Sequence, residues 1–333
     1  MTHSLLASRC EAVPSTLREA LSAPLPTITR AMRDAGRWVV TGTGASEGPA
    51  RLFAWALRHH AGRCAEFVPL SSFALGDAPV GDALAVFSQE LSPNARLGLA
   101  ARSNYAHSLL VTATPERPHA RAAAIDGVVV CAHPPSSEAS LLLRVLGPAA
   151  ASIAALRLAE EVAGEPGAIL SREAVEALPD AVERAFRHAR DLAADVDFTA
   201  PIALVTAPDG AEAAHGLRWK WLEGTGLQDP PCWDVLQFAH GPWQHVVDRP
   251  YTLVTLERDG APSRDLFDRL ASMLDPSRHR LVRAHAKLPS AAAFFEHDAA
   301  LNAMVCAALP RLSRDLARWP GAGTDGALYD LGR

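Results

Sequence analysis

Three side chains in one stretch have the types and spacing for proton transfer at carbon. In WKWLEGTGLQDPPCWDVLQFAHGPWQ, residues 219–244, Lys220 and Glu223 lie three apart, and His240 stands just ahead of Gly241-Pro242. Residues three apart on a helix share a face, so Lys220 and Glu223 can point into one pocket. His240 follows Glu223 by seventeen residues, and the Gly- and Pro-bearing loop between them is long enough to carry it back. A carboxylate and an imidazole facing one cavity are the minimum for moving a proton onto or off carbon. The same residues also read as a solvated helix ion pair and a turn histidine.

A second group of residues has the pattern of a ligand cradle. Arg37 to Thr41 reads as a short buried strand running into Gly42-Thr43-Gly44-Ala45-Ser46, with a helical pattern through His59. Strand, Gly-rich turn and helix is the arrangement in which backbone N–H groups hold an anion. The turn lacks the third glycine of the dinucleotide fingerprint and the Gly-Lys-Ser/Thr of a P-loop.

These residues need a scaffold, and the chain supplies one. Apolar runs of strand length recur at 65–70, 82–87, 109–112 and 127–131, with helical segments between. Such strands imply a parallel sheet covered by helices on both faces. Ligands of such sheets bind beyond the carboxyl ends of the strands, where Gly44-Ala45-Ser46 and Ser88-Gln89 fall. Between 165 and 199 the pattern becomes charged and helical, with one helix from Leu170-Ser171-Arg172-Glu173 and a second over 180–194. Alternation then resumes: strands at 201–206, 246–247, 251–256 and 280–282, helices at 266–274 and 291–309. The second half repeats the architecture of the first. The expected organisation is a helical lead-in (1–35), a first α/β domain (36–165), a helical linker (166–198) and a second α/β domain with a tail (199–333).

Composition excludes several classes. The 333 residues are 49% hydrophobic and 21% charged, with a net charge of −5, an ordinary globular balance without the basic patch that phosphate backbones require. No nucleic-acid partner is expected. The five cysteines are scattered, with no CxxC, which favours reduced thiols in a cytoplasmic protein. The N-terminus lacks a signal-peptide pattern. The most apolar run, 140–159, is interrupted by Arg144, Gly147-Pro148 and Arg157, and reads as a buried helix, so no membrane partner is expected.

Five stretches together resemble the tandem SIS (sugar isomerase) domain proteins, nearest to the isomerase half of glucosamine-6-phosphate synthase and to the fructosamine deglycases. Gly42 to Ser46 is similar to the family's GxGxS turn. Phe87-Ser88-Gln89-Glu90-Leu91-Ser92-Pro93-Asn94 is similar to its serine-rich phosphate loop, and Ala139-Ser140 to the stretch leading a helix. Lys220-Trp221-Leu222-Glu223 resembles the KLKE helix, and His240-Gly241-Pro242 the HGP motif. The resemblance covers about residues 30–325 and implies two flavodoxin-like sheets; the apolar helix after Ser140 and the Ala-rich helix from Ala291 are too hydrophobic to be left in water, which predicts a homodimer. The resemblance implies Glu223 as the shuttle between C1 and C2 of an open-chain sugar. His240 would be acid/base, reaching in from a neighbouring subunit, and Lys220 electrostatic support. Gly44, Ala45, Ser46, Ser88, Gln89, Ser92, Asn94 and Ser140 would bind the sugar. The chemistry calls for no cofactor and no metal.

The departures from the family pattern shape the expectation. The phosphate loop is one residue short, and Glu90-Leu91 replaces Ser-Gly, which predicts repulsion of a phosphate and loss of backbone freedom. The tail carries no Schiff-base lysine, and no glutaminase domain precedes the two halves. The expected function is an isomerase or deglycase acting on a keto- or amino-sugar conjugate, whose substrate either lacks a phosphate or has its phosphate held more weakly. The alternative is a non-catalytic sugar sensor. Trp219, Trp221, Trp233 and Trp243 read as core packing or as a wall for an apolar aglycone.

Overall fold

The computed structural model describes every residue except 1, 135–137, 139, 313 and 333, and every side chain except those of 195, 209, 210, 212, 213 and 290 as well. The apolar runs of the first half form one parallel sheet. Its strands are β1 (Arg37–Gly42), β2 (Cys64–Phe67), β3 (Ala83–Phe87), β4 (His107–Thr112) and β5 (Val129–Ala132), in the order β2-β1-β3-β4-β5. All five residues of β3 are buried, because a central parallel strand is covered on both faces. Trp38, Phe53 and Phe87 are fully buried, and Trp38 meets Phe53 edge-on at 5.6 Å.

The second half repeats this plan with four parallel strands. They are β6 (Ile202–Thr206), β7 (Cys232–Asp234), β8 (Tyr251–Arg258) and β9 (His279–Ala286), in the order β7-β6-β8-β9. This is the order of the first four strands of the other sheet. The fold is α/β with two flavodoxin-like parallel sheets, as expected. The chain divides into two compact units. The first-sheet unit holds Ser15–Ser140, Arg144–Val175 and the C-terminal stretch from Ala317; the second-sheet unit holds the residues up to Pro14, Leu141–Leu143 and Glu176–Leu316.

Three expected elements are corrected. Val246-Val247 is not a strand: Val246 ends the helix Pro242–Val246 and packs in the core beneath the sheet, because Pro242 presets a helical φ at its first position. The strand in that region is the three-residue β7, which Pro230-Pro231 just ahead of it concealed. The two charged helices are one, Arg172–Leu192, with Pro179 inside. Ala174, Leu178, Ala181 and Val182 are all buried, so a continuous apolar stripe carries the helix through the proline at the loss of one N–H donor.

The helices Leu146–Ala163 and Ser290–Leu312 are almost wholly buried within one chain. Their apolar character therefore gives no argument for a second copy.

Candidate functional site

In the first sheet, the strand order reverses between β1 and β3. A parallel sheet of this kind opens its crevice at that switch point, beyond the carboxyl ends. Two loops flank it. The turn after β1 is tight: a Cβ on Gly42 would lie 2.7 Å from the Ser46 carbonyl oxygen. Gly44 takes φ +55, and Ser46 N–H donates to the Thr43 carbonyl at 3.1 Å. Gly44, Ala45 and Ser46 are half-buried and lead straight into the helix Glu47–His59. Glu47, in that helix's first turn, is buried and pairs with Arg51 at 2.7 Å.

The loop after β3 keeps a left-handed residue without a glycine. Leu91 has φ +50, the only positive φ outside glycine among the described residues. Left-handed backbone costs an ordinary residue about 1–2 kcal/mol. The Leu91 side chain is 2% exposed in the core formed with Val86, Ala95 and Leu99, and such burial is worth about 1.5–3 kcal/mol. The expected loss of backbone freedom is thus overridden by packing. Ser88 is buried and its Oγ accepts from Ser92 N–H at 3.2 Å, so it shapes the loop. Gln89 lies against Gly147, where an added Cβ would come within 2.3 Å of its amide. The Asn94 amide donates to the Leu328 carbonyl at 2.8 Å. Gly332 lies on Pro93, with space for no side chain, so the C-terminal stretch lies along this loop. Ser92 is half-buried and Ser140 is exposed; Ala139 lies outside the described residues.

This unit also pairs polar groups that the sequence reading did not bring together. The Glu90 carboxylate pairs with Arg117 at 3.3 Å and Arg144 at 3.5 Å. The expected repulsion is therefore tempered by two guanidinium groups. Glu138, fully buried, accepts from the N–H groups of Val145, Leu146 and Gly147 at 2.7, 2.9 and 2.8 Å. It caps the helix Leu146–Ala163 and meets its dipole. His133 follows β5 and is buried; burial pushes its pKa down to about 4. No local pattern announces these partners, because each pairing closes over a turn or between strands.

In the second-sheet unit, Lys220 and Glu223 share the helix Pro208–Thr225. Glu223 is half-buried in its last turn. Lys220 is 4% exposed and pairs with Asp298 of the helix Ser290–Leu312 at 3.2 Å. Asn302 donates to the other Asp298 oxygen at 3.0 Å. Asp298 was not singled out from the sequence.

His240 is exposed, in a turn made by Gly241 at φ +109 and closed by Gln244, whose Oε1 accepts from Gly241 N–H at 2.8 Å. The connection from β6 to β7 runs one way along the sheet and the connection from β7 to β8 runs the other. Right-handed crossovers then lie on opposite faces. The Lys220 helix packs with Ser290–Leu312 on one face, while Phe238, beside His240, packs with Phe267 and Leu270 on the other. The helix that bears Glu223 and the turn that bears His240 are thus attached to opposite faces of this sheet.

The tryptophans form no common wall. Trp221 is buried against Phe198 at 5.8 Å. Trp233 and Trp243 pack on Phe238 across the sheet, and Trp219 lies beside Arg218. Among the described residues, no group of His, Cys, Asp and Glu could hold a metal. No helix among them is long and apolar enough to cross a membrane.

No protein-family model and no curated sequence matches the chain. Solved structures do. The C-terminal domain of glucosamine-fructose-6-phosphate aminotransferase from Francisella tularensis superposes with a TM-score of 0.76 at 11% identity, over 94% of this chain and 98% of that one. Glucosamine-6-phosphate deaminase from Thermotoga maritima gives 0.72 at 12% identity, over 93% and 95%. Tagatose-6-phosphate ketose/aldose isomerase from Escherichia coli gives 0.69 at 16%, over 94% and 91%. The likeness spans nearly the whole of each chain, and what this chain shares with these three proteins is the two-sheet sugar-isomerase (SIS) fold.

Proposed function

We propose that the chain is a sugar isomerase or deglycase acting on a keto- or amino-sugar conjugate through an enediol or enolamine. Glu223 is the proton shuttle, His240 the acid/base, and Lys220 an electrostatic support acting from its pair with Asp298. The turn 44–46, with Ser88, Gln89, Ser92, Asn94 and Ser140, binds the sugar. The observation that carries this reading is Glu223: a carboxylate held half-buried one helical turn from a fixed ammonium, in a fold shared with sugar isomerases. Enediol chemistry needs a base placed over the carbon that gives up its proton, and a carboxylate can serve as that base.

The substrate is non-phosphorylated. Three places that could receive a phosphate carry the chain's own carboxylates: Glu47 at one helix start, Glu90 in the loop after β3, and Glu138 at another helix start. The active form is a homodimer in which a second copy supplies His240, because one chain keeps Glu223 and His240 on opposite faces of a sheet. The five free cysteines suit a reducing cytoplasm.

One observation favours a sensor instead: Lys220 is committed to Asp298. Deuterium incorporation separates the two. The protein is incubated in D2O with a panel of ketosamines and ketoses, and exchange at C1 or C2 is read by mass spectrometry. Removing a general base lowers rate by roughly 10²–10⁴-fold, so Glu223→Gln largely abolishes exchange while ligand still binds. If the parent protein binds a ligand and exchanges no proton on it, the sensor reading stands in place of the enzyme.

A further inference from the structure

Two thiols meet inside the second-sheet unit. Cys10 lies on the helix Thr2–Ser22, in the part up to Pro14 that belongs to this unit, and Cys306 lies on the helix Ser290–Leu312. Their Sγ atoms are 3.8 Å apart, although 296 residues separate them in the sequence. Both side chains are buried. Cys10 belongs to the stripe Leu6, Cys10, Val13, which turns one face of its helix inward. Cys306 follows Asp298 and Asn302 at four-residue steps, so the three share a face of their helix. His3 Nε2 donates to the Cys306 carbonyl at 3.0 Å, a second tie between the same two helices.

Packing alone does not call for sulfur on both sides of a contact, since any small apolar side chain would fill it. Two sulfurs add a chemistry. Rotation about Cα–Cβ moves each sulfur without moving the backbone, and a bond forms when they close to about 2.05 Å.

We propose that Cys10 and Cys306 are an oxidisable pair, which hydrogen peroxide converts to a disulfide that latches the N-terminal helix to the helix Ser290–Leu312. One sulfur attacks the peroxide O–O bond and becomes a sulfenic acid, and the other peroxide oxygen leaves as water with the thiol proton. The second thiol attacks the sulfenic sulfur, forms the S–S bond and expels a second water. The two thiols lose two electrons and two protons in all, and the peroxide is reduced. The hydrogen bond with Cys306, and then burial, push the Cys10 pKa well above its ordinary value. The thiolate is the attacking species, so closure is slow near neutrality and quickens as pH rises. The latch joins the helix whose Asp298 holds Lys220, and it stands apart from the sugar-binding reading.

Mass spectrometry of the full chain tests this. Exposed thiols such as Cys64 are blocked with iodoacetamide, hydrogen peroxide is added, and the chain is digested at acid pH without reductant. The expected product is a peptide pair joined through Cys10 and Cys306, lighter by two hydrogens and separated again by dithiothreitol. Linking residues so far apart in sequence restricts the unfolded chain, so the urea midpoint of the joined form is expected to rise by roughly 1 M. Cys10→Ser is expected to show no rise after peroxide. Where that variant fails to fold, the oxidised parent chain before and after dithiothreitol makes the same comparison. Sulfinic acid at Cys10 or Cys306 without the joined peptide, a predominant pairing with another cysteine, or an unchanged midpoint in the joined form overturns the inference.

Discussion

Asn at position 298 is the most informative single change in the second-sheet unit. Lys220 and Asp298 have side chains only 5% and 8% exposed, 3.2 Å apart. At an effective dielectric of 20, two unit charges at that distance attract by about 5 kcal/mol. Desolvating both consumes most of this, so the pair contributes little net stability. Breaking it is another matter. Asp298→Asn removes the carboxylate paired with a buried ammonium, and breaking a buried pair from one side costs about 3–5 kcal/mol. Lys220→Met with Asp298→Leu removes both charges and is expected to be neutral or stabilising. Urea unfolding followed by tryptophan fluorescence reads both variants, since Trp221 stacks on Phe198 in the same unit. With a slope of about 1–3 kcal/mol per molar urea, Asp298→Asn moves the midpoint down by roughly 1 M or more. The argument is refuted if Asp298→Asn stays within about 1 kcal/mol of the parent protein, well below that cost. The double variant also speaks to function. If it keeps full turnover, Lys220 is structural and gives no electrostatic support.

Three further outcomes are expected. Mixing the inactive variants Glu223→Gln and His240→Ala, with subunit exchange, restores up to about a quarter of parental activity, because half the dimers carry one intact site; no recovery despite confirmed exchange removes the shared-site proposal. Leu91→Gly relieves about 1 kcal/mol of left-handed strain but loses the buried side chain, so unfolding shows a net loss of about 1–2 kcal/mol; a gain would show that strain dominates. His133 titrates near 6.5 when unfolded and at about 4 when folded, so the unfolded chain binds the proton first as pH falls. Stability is full above about pH 6.5 and declines towards pH 4 by roughly 3 kcal/mol; in His133→Gln that part of the acid dependence disappears.

The sheets were legible because their strands are apolar on both faces, and β3 and β8 stand out in the sequence for that reason. β7 was not, because three half-buried residues behind two prolines carry no periodicity. The left-handed Leu91 was not either, because nothing in Glu90-Leu91-Ser92 signals a conformation that the core beneath imposes. The Lys220–Glu223 spacing suggested one helix, and both residues lie on Pro208–Thr225. It could not show that Asp298, 78 residues on from Lys220, takes up the lysine. Nor could the length of the 224–239 loop show that His240 emerges on the far side of a sheet. That depends on strand order, which is a long-range property.

The two units differ most where their first strands end. Val39-Val40-Thr41-Gly42 closes β1 and Leu204-Val205-Thr206-Ala207 leads out of β6. After β1 comes a glycine turn tight enough to exclude a Cβ at Gly42, with backbone N–H groups at a helix start. After β6 comes Ala207-Pro208, and Pro208 opens the helix without an N–H. A proline there is a good helix start and a poor anion donor. The same strand order has therefore been put to different use. The first-sheet unit carries the glycine turn and the loop after β3 that are proposed to bind the sugar, with Glu47, Glu90 and Glu138 as carboxylates of its own. The second-sheet unit keeps the helix that bears Glu223. In the proposed mechanism, acid/base chemistry by Glu223 with His240 draws on a second chain, which makes the mixing experiment a sharper test of it than any single substitution.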